Sequence, residues 1–281
     1  MSGPFIALQQ MLPQHALSRF GGKLAASTNP RLSQTLIRNF ARVYDINLAE
    51  AERESLDDYE SFNDFFTRAL KPDARPLPGD PLAVVSPADG AVSQAGTIRR
   101  GRMLQAKGHT YALESLLGEA AAEFEGGSFA TVYLAPSDYH RVHAPVRGRL
   151  LKTRAIPGAL YSVNGRTEAG IEGLFTRNER LVCEFATTHG RVMVVLVGAM
   201  IVASIDTVWA GPKSPYQREE VSRFDRPDQT PQFYARGAEI GRFLLGSTVI
   251  VCFERGRSRL DPELRPGSKV KMGEAIARLT N

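Results

Sequence analysis

A proline-rich segment at residues 71–81, KPDARPLPGDP, separates two parts of this 281-residue chain that follow different patterns. Proline lacks a backbone N–H and fixes its φ angle, so several prolines close together interrupt helices and strands alike. Helical patterns precede the segment, and short apolar stretches bounded by glycine follow it. We therefore expect a helical part over residues 1–70 and a β-rich part over residues 82–281.

The β-rich part is expected to be mainly antiparallel. Its short runs of Val, Ile, Leu and Phe are bounded by Gly, Pro and Asn, which is typical of strands joined by tight turns. Because such strands favour a sandwich or rolled sheet over a βαβ arrangement, the predicted fold class is α+β. Strands are predicted at residues 82–86, 91–98, 129–134, 148–153, 181–187, 192–205 and 241–254, with a β-hairpin at residues 265–279.

The helical part contains an amphipathic helix at residues 31–44. Leu36, Ile37 and Phe40 fall on one face, while the arginines lie toward the other. Two interpretations remain: the helix packs within its own domain, or it lies in the interface of an anionic membrane. Other helical segments are predicted at residues 5–12, 16–26, 45–58 and 61–68, with single helical turns at residues 112–117 and 137–140.

Charge is distributed unevenly over the helical part. Residues 1–44 carry five basic residues and no acidic residue, whereas residues 45–60 carry seven acidic residues and one arginine. The whole chain has a formal net charge of +5. This asymmetry predicts that the first segment touches an anionic surface.

Composition favours a cytoplasmic protein. Cys183 and Cys252 lie far apart without a CxxC pattern, so we expect two buried thiols in a reducing compartment. The longest apolar run, residues 192–203, is too short to span a bilayer, and no transmembrane helix is expected. No signal-peptide pattern is expected at the N-terminus either.

Two histidines, His140 and His143, stand three residues apart in the segment PSDYHRVHAP. A metal site needs further ligands at suitable spacing, and none is nearby in the sequence, so no metal is expected. Two interpretations are open for each histidine. It belongs to a polar surface loop, or it acts as a general base beside a neighbouring acid.

Asp89 and Ser247 are the other candidates for chemistry. Asp89, in SPADG, is either a turn aspartate or an acid that orients a histidine. Ser247 follows Gly246 in a strand pattern, and its hydroxyl is within reach of the preceding carbonyl. Attack there would convert the peptide bond to an ester, and elimination followed by hydrolysis would leave a pyruvoyl group. The alternative is an ordinary strand Gly-Ser, and sequence spacing does not tell whether the candidates meet.

Together these segments resemble the phosphatidylserine decarboxylases, in particular the bacterial type with a short processed subunit. The resemblance runs from about residue 30 to the C-terminus. The matching text is FFTRALKP at 65–72, SPADGAV at 86–92, YLAPSDYHRVHAPV at 133–146, YSVN at 161–164, LFTRNER at 174–180, VGAMIVASI at 197–205, TVWAG at 207–211 and GRFLLGSTVI at 241–250.

The resemblance implies self-cleavage between Gly246 and Ser247 into associated chains 1–246 and 247–281. Ser247 would become the covalent pyruvoyl cofactor. His143 matches the processing base and Asp89 its charge-relay acid, while His140 matches a histidine that acts near the substrate carboxylate or protonates the product carbanion. The substrate would be phosphatidylserine, decarboxylated through a Schiff base to phosphatidylethanolamine and CO₂.

The resemblance also bears on partners and location. It favours the membrane interpretation of the helix at residues 31–44 and places the protein peripherally on the cytoplasmic face of the inner membrane. It is compatible with a homodimer, and no nucleic acid partner is expected.

Two other function classes are open. The first is a lipid hydrolase that uses Asp89, His143 and Ser247 as an ordinary triad without self-cleavage, although no GxSxG elbow is present. A retained Ser247 hydroxyl would then react with a fluorophosphonate probe. The second is a non-catalytic lipid- or carrier-binding β-domain, which would bind vesicles and contain no reactive carbonyl.

Overall fold

The computed structural model describes residue 9 and residues 11–200, 204–212, 215–244 and 247–280, and of Ser247 it describes the backbone alone. Most of the predicted helix at residues 5–12 lies outside these residues, and so does Gly246. Within the described residues the chain has a few short helices and a body of antiparallel sheets, which confirms the α+β class.

The N-terminal helices are α1 (Gln14–Ala25), α2 (Pro30–Tyr44) and α3 (Phe62–Phe66). Asn29 caps α2 by accepting the backbone N–H groups of Arg31 and Leu32, and the left-handed Asp45 (φ 48°) ends it. The predicted helical extension over residues 45–58 is wrong, because the chain turns at Asp45 and forms only a 3-10 turn at Leu56–Asp58.

An aromatic cluster holds these helices together. Ile37 of α2 is fully buried, and Phe40 packs edge-on against Phe62, Phe65 and Phe66 with ring centroids 5.0, 6.3 and 5.7 Å apart. Most of the apolar face of α2 is therefore used inside the protein. Val43, near its end, remains 73 % exposed.

After the N-terminal helices the described chain contains strands, three short α-helices and a 3-10 turn at Ala122–Phe124. The strands are β1 (Ala83–Val85), β2 (Gly90–Thr97), β3 (Arg102–Ala106), β4 (His109–Ala112), β5 (Ser128–Leu134), β6 (Arg141–His143), β7 (Gly148–Ile156), β8 (Arg180–Thr187), β9 (Gly190–Val197), β10 (Ile205–Thr207), β11 (Gly211–Pro212), β12 (Glu220–Arg223), β13 (Gln232–Tyr234), β14 (Glu239–Phe243), β15 (Ser247–Phe253), β16 (Ser258–Leu260), β17 (Lys269–Val270) and β18 (Ala275–Leu279). The helices are α4 (Leu113–Leu117), α5 (Gly165–Glu168) and α6 (Leu174–Arg177).

The main sheet has the strand order β12-β7-β8-β9-β15-β5-β2-β17, with β13 beside β12 on the same edge of β7. Both faces of its central strands are buried, whereas the edge strand β12 is exposed. In β15, Val249 and Val251 belong to one hydrophobic core, while Ile250 and Cys252 belong to the core on the other face. A strand that is covered on both sides needs apolar residues at successive positions, which explains the run VIVCF.

Three predicted elements differ from the structure. Residues 241–254 form two strands in different sheets, because β14 joins the small sheet β11-β10-β14-β6 whereas β15 lies in the main sheet. The tail at residues 265–279 is not a hairpin, since β17 pairs with β2 and β18 lies between β1 and β16. Residues 192–205 divide between β9 and β10.

Two local features also differ. The segment at residues 137–140 is a turn closed by a hydrogen bond from Asp138 N–H to the Ala135 carbonyl, not a turn of helix. The β3–β4 hairpin was not predicted, because Lys107-Gly108 at its tip interrupts two short polar strands that have little alternation. The helical turn expected at residues 112–117 is present as α4.

Candidate active site

Ser247 and the segment that contains Asp89 lie on either side of the end of β5, and the two histidines follow β5 in the chain. Hydrogen bonding pairs the backbone of Ser247 with Leu134, the last residue of β5, and pairs Ala91 with Tyr133 on the other side. Asp89 lies two residues before Ala91. Because neighbouring strands lie about 4.8 Å apart, the two strands that flank β5 are separated by about 10 Å. The chain then leaves β5, turns, and enters β6 with the two histidines.

His143 is a buried neutral base whose tautomer is fixed. Its Nδ1 lies 2.8 Å from the carbonyl oxygen of Gly237, which can only accept, so Nδ1 carries the proton. Its Nε2 lies 3.0 Å from the hydroxyl of Tyr139, which therefore donates to it. Burial lowers the pKa of His143 and outweighs the Gly237 hydrogen bond, which raises it. Nε2 is consequently the basic nitrogen.

Asp89 is held by groups other than His143. Arg75 Nε and Nη2 donate to its two carboxylate oxygens at 2.9 and 2.5 Å, and the Met272 N–H donates to Oδ1 at 2.8 Å. Glu50 accepts from the same Arg75 at 2.8 Å. Among the described residues no hydrogen bond joins Asp89 directly to His143.

Asp89 and His143 are nevertheless neighbours. The backbone N–H of His143 donates to the carbonyl of Pro87, two residues before Asp89, at 2.8 Å. The negative charge of Asp89 also acts on His143 and raises its pKa, against the larger effect of burial. The structure thus brings the acid beside the base without forming a hydrogen-bonded relay.

His140 has a different environment. It is fully buried, its ring lies 3.9 Å from the ring of Phe66, and its Nδ1 lies 2.8 Å from the Asp138 carbonyl oxygen. Burial lowers the pKa of His140 to about 3, so the ring is neutral and Nε2 holds a lone pair. That Nε2 is buried without a hydrogen-bond partner in the part of the chain that the structure describes.

A cavity of about 470 Å³ opens beside His143 and Tyr139. Arg75, Gly237 and Met272 line it, together with Leu70 and with residues 71–73 and 76–77 of the proline-rich segment. That segment therefore covers the site as well as separating the two parts of the chain. Within the described ranges, no group of three His, Cys, Asp or Glu residues is placed to hold a metal ion.

Two residues of this site were not singled out from the sequence. Tyr139 stands inside the segment that carries both histidines, so its neighbourhood was visible but its contact with His143 was not. Arg75 lies in the proline-rich segment, where no local pattern marks it. Its contact with Asp89 joins residues 14 positions apart and depends on the tertiary fold.

Comparison with known proteins gives the family. A family model described as phosphatidylserine decarboxylase matches residues 62–278, and a second, described as PSD, matches residues 4–45. Three similar proteins, each named phosphatidylserine decarboxylase proenzyme, come from Bordetella avium, Azotobacter vinelandii and Alcanivorax borkumensis. Their identities are 51 %, 51 % and 50 %, over 99 %, 98 % and 99 % of this chain and 95 %, 97 % and 96 % of theirs. The resemblance found in the sequence motifs is thereby confirmed: the chain belongs to the phosphatidylserine decarboxylase family.

Proposed function

We propose that this chain is a carboxy-lyase that cleaves itself between Gly246 and Ser247 and then decarboxylates phosphatidylserine to phosphatidylethanolamine and CO₂. Membership of the family supports the reaction, and the word proenzyme in the relatives' names supports the processing step. Within this chain, the observation that carries the proposal is the state of His143. It is a neutral imidazole whose basic nitrogen, Nε2, accepts a hydrogen bond from the Tyr139 hydroxyl.

In the proposed cleavage, His143 Nε2 accepts the proton of the Ser247 hydroxyl while Ser247 Oγ attacks the Gly246 carbonyl. An ester forms and the amide C–N bond breaks, with the proton passing to the released amine. Loss of the Cα proton of residue 247 then expels the Gly246 carboxylate, and hydrolysis releases ammonia. Tyr139 now donates to the same Nε2, so the reacting hydroxyl must displace the phenol or pass its proton through it.

Asp89 supports this step through its charge. When His143 takes up a proton it becomes a buried cation, and a carboxylate beside it stabilises that cation. Arg75 and the Met272 N–H hold the Asp89 carboxylate in place. We assign Asp89 this electrostatic role, since its oxygens are already occupied by these donors.

The position of Ser247 suits a cofactor made from the chain itself. It is the first residue of β15, and the ladder to β5 begins at that residue. A pyruvoyl group at this position would supply a ketone for the substrate amine and an electron sink for the bond to the carboxylate. The short chain would remain bound after cleavage, because β15 lies between β5 and β9, β17 pairs with β2, and β18 pairs with β1.

His140 is suited to proton transfer during turnover. Among the described residues its Nε2 has no hydrogen-bond partner, so its lone pair is available to a bound substrate. With the anionic substrate beside it, the ring would take up a proton more readily and could pass it to the product carbon.

The N-terminal helices are proposed to rest on an anionic membrane at the cytoplasmic face. Leu17, Phe20 and Val43 are 39 %, 64 % and 73 % exposed, and basic residues of α1 and α2 lie beside them. A groove of about 360 Å³ between these helices is lined mainly by apolar residues. Of the helices in the described ranges, none is long and apolar enough to cross a bilayer.

Intact mass spectrometry of the purified protein tests the proposal. We expect two fragments, with a short chain that begins at residue 247, lacks a free amine and reacts with hydrazine. Ser247→Ala should remain a single chain and release no CO₂ from phosphatidylserine vesicles. Thr131→Val, which removes a buried hydroxyl from strand β5 of the main sheet, should be cleaved like the wild type. An unbroken wild-type chain whose Ser247 reacts with a fluorophosphonate would replace this proposal with the hydrolase.

A further inference from the structure

Arg68, the second residue after α3, is a buried cation with unused hydrogen-bond donors. It is 4 % exposed, and its Nη2 donates to the Ser137 carbonyl at 3.2 Å. Its Nε and Nη1 are buried and have no hydrogen-bond partner among the described residues. The charges of Asp89 and Asp138 act on its guanidinium, but no described carboxylate forms an ion pair with it. The positions outside the described ranges contain no aspartate or glutamate.

Arg180 shows how this fold satisfies a buried arginine when the role is structural. It is also 4 % exposed and forms no ion pair with a described carboxylate. All three of its nitrogens donate, however, in four hydrogen bonds of 2.6–3.0 Å to the carbonyls of Leu116, Thr176, Asn178 and Ser115. A buried guanidinium left without such partners loses its hydration and gains little in return. Arg68 is therefore placed for a partner that is not part of the chain.

The neighbourhood of Arg68 is that of His140. The guanidinium lies 5.7 Å from the Phe65 ring centroid, while His140 lies on the adjacent Phe66. Arg68 and His140 bind the carbonyls of two successive residues, Ser137 and Asp138. The same turn thus holds a cation with donors, and a neutral imidazole with an acceptor, that have no partner among the described residues. This pair is complementary to a headgroup that carries an anion and an ammonium.

We propose that Arg68 binds the phosphodiester of the phospholipid headgroup and so places the serine moiety beside His140. The inference rests on the proposed function. The phosphodiester is favoured over the carboxylate because the carboxylate loses its charge as CO₂ leaves. A cation bound to the carboxylate would stabilise the ground state more than the transition state, and so would slow the reaction. The phosphodiester keeps its charge throughout and suits guanidinium N–H donors.

The unused atoms of Arg68 are enclosed, so the headgroup needs a route to them. The backbone N–H of Phe243 donates to the His140 carbonyl at 3.0 Å, and the N–H of Leu244 donates to the Ser204 carbonyl at 3.1 Å. The proposed cleavage after residue 246 would remove a covalent restraint from this segment, which lies against His140.

Steady-state kinetics on two substrates test the proposal. One is phosphatidylserine in mixed micelles, and the other is an O-alkylserine, which has the same amine and carboxylate but no phosphate. Arg68→Gln should raise KM for phosphatidylserine about 10- to 100-fold, leaving kcat within a few-fold and the O-alkylserine kinetics unchanged. Inhibition by phosphatidylethanolamine, which retains the phosphodiester, should weaken by the same factor. Arg68→Lys should recover part of the loss.

Arg180→Lys is the matched control. It should lower the melting temperature without changing the ratio of KM for the two substrates, whereas Arg68→Gln should leave the melting temperature unchanged or raise it. Equal losses for both substrates, or no loss for either, would overturn the phosphodiester assignment. Failure of both Arg68 variants to self-cleave would assign Arg68 to maturation instead. A wild-type chain that is not cleaved, or that releases no CO₂, would contradict the proposed function and not this inference in particular.

Discussion

His140 and His143 are three residues apart in one short segment, yet the fold gives them opposite surroundings. His140 precedes β6 and packs against Phe66, in the aromatic cluster of the helical part, with its Nε2 unpartnered among the described residues. His143 ends β6 beside the cavity under the proline-rich segment, and both of its nitrogens have partners. One of the two histidines packs against the helical part and the other lies at the cavity of the β-rich part. The same short segment can therefore serve two chemical steps.

The largest expected difference between the two histidines is in the rate of self-cleavage. His143→Ala should slow cleavage about 10⁴-fold, because it removes the proposed base for the Ser247 proton. His140→Ala should be cleaved at a rate within a few-fold of the wild type. Fragment formation followed by gel densitometry and intact mass measures both rates. His189→Ala is the control, at a histidine whose described hydrogen bonds join it to neighbouring Thr187 and Thr188. If His140→Ala is not cleaved, the two histidines do not have separate roles in cleavage.

The next largest expected effect is on the rate at which the cleaved enzyme decarboxylates phosphatidylserine. Mature His140→Gln is expected to decarboxylate phosphatidylserine about 100-fold more slowly, because glutamine cannot take up a proton and pass it to the product carbon. Release of CO₂ per cleaved chain is the measurement, so that incomplete processing does not enter the rate. A His140→Gln enzyme with wild-type turnover would remove His140 from the catalytic residues.

A smaller effect concerns the pH dependence of cleavage. The pKa of His143 is lowered by burial, and only the deprotonated ring can act as the base. Cleavage should therefore remain fast below pH 6.5 and decline about tenfold per unit only once the pH falls through the lowered pKa. Asp89→Asn removes a charge that raises this pKa and should move the decline to lower pH. The rate of fragment formation in a pH series gives both profiles, and a decline centred at pH 6.5 would contradict the assignment.

The smallest effect is on stability in acid. His140 has a pKa of about 3 when folded and an ordinary value near 6.5 when unfolded, so below pH 6.5 the unfolded chain binds a proton that the folded chain does not. The free energy of unfolding should fall by about 1.4 kcal/mol per pH unit between these values, which is about 2 kcal/mol from pH 7 to pH 5. Urea unfolding of uncleaved Ser247→Ala at the two pH values measures the loss, and His140→Gln in that background should reduce it. An equal loss in both proteins would show that His140 is not buried in its neutral form.

The sequence allowed the α+β class and most element positions to be predicted, because helix periodicity and glycine-bounded strands are local signals. Residues 241–254 mark where this fails: they contain one continuous apolar pattern, yet Gly241 packs so closely on Asp206 that a Cβ there would lie 2.6 Å from its carbonyl oxygen. Which sheet a strand joins is decided by such long-range contacts. The candidate residues came from motifs, whereas the contacts of Arg75 with Asp89 and of Tyr139 with His143 could come only from the fold.

The position of β15 in the middle of the main sheet affects whether the protein can refold after denaturation. Its partners β5 and β9 belong to the segment upstream of residue 247, so after the proposed cleavage this ladder would join two separate chains. Only noncovalent contacts would then hold the two pieces, and their reassociation after denaturation would be bimolecular. We expect the uncut precursor to recover after denaturant is diluted, whereas the matured form, once dissolved into separate fragments, does not return.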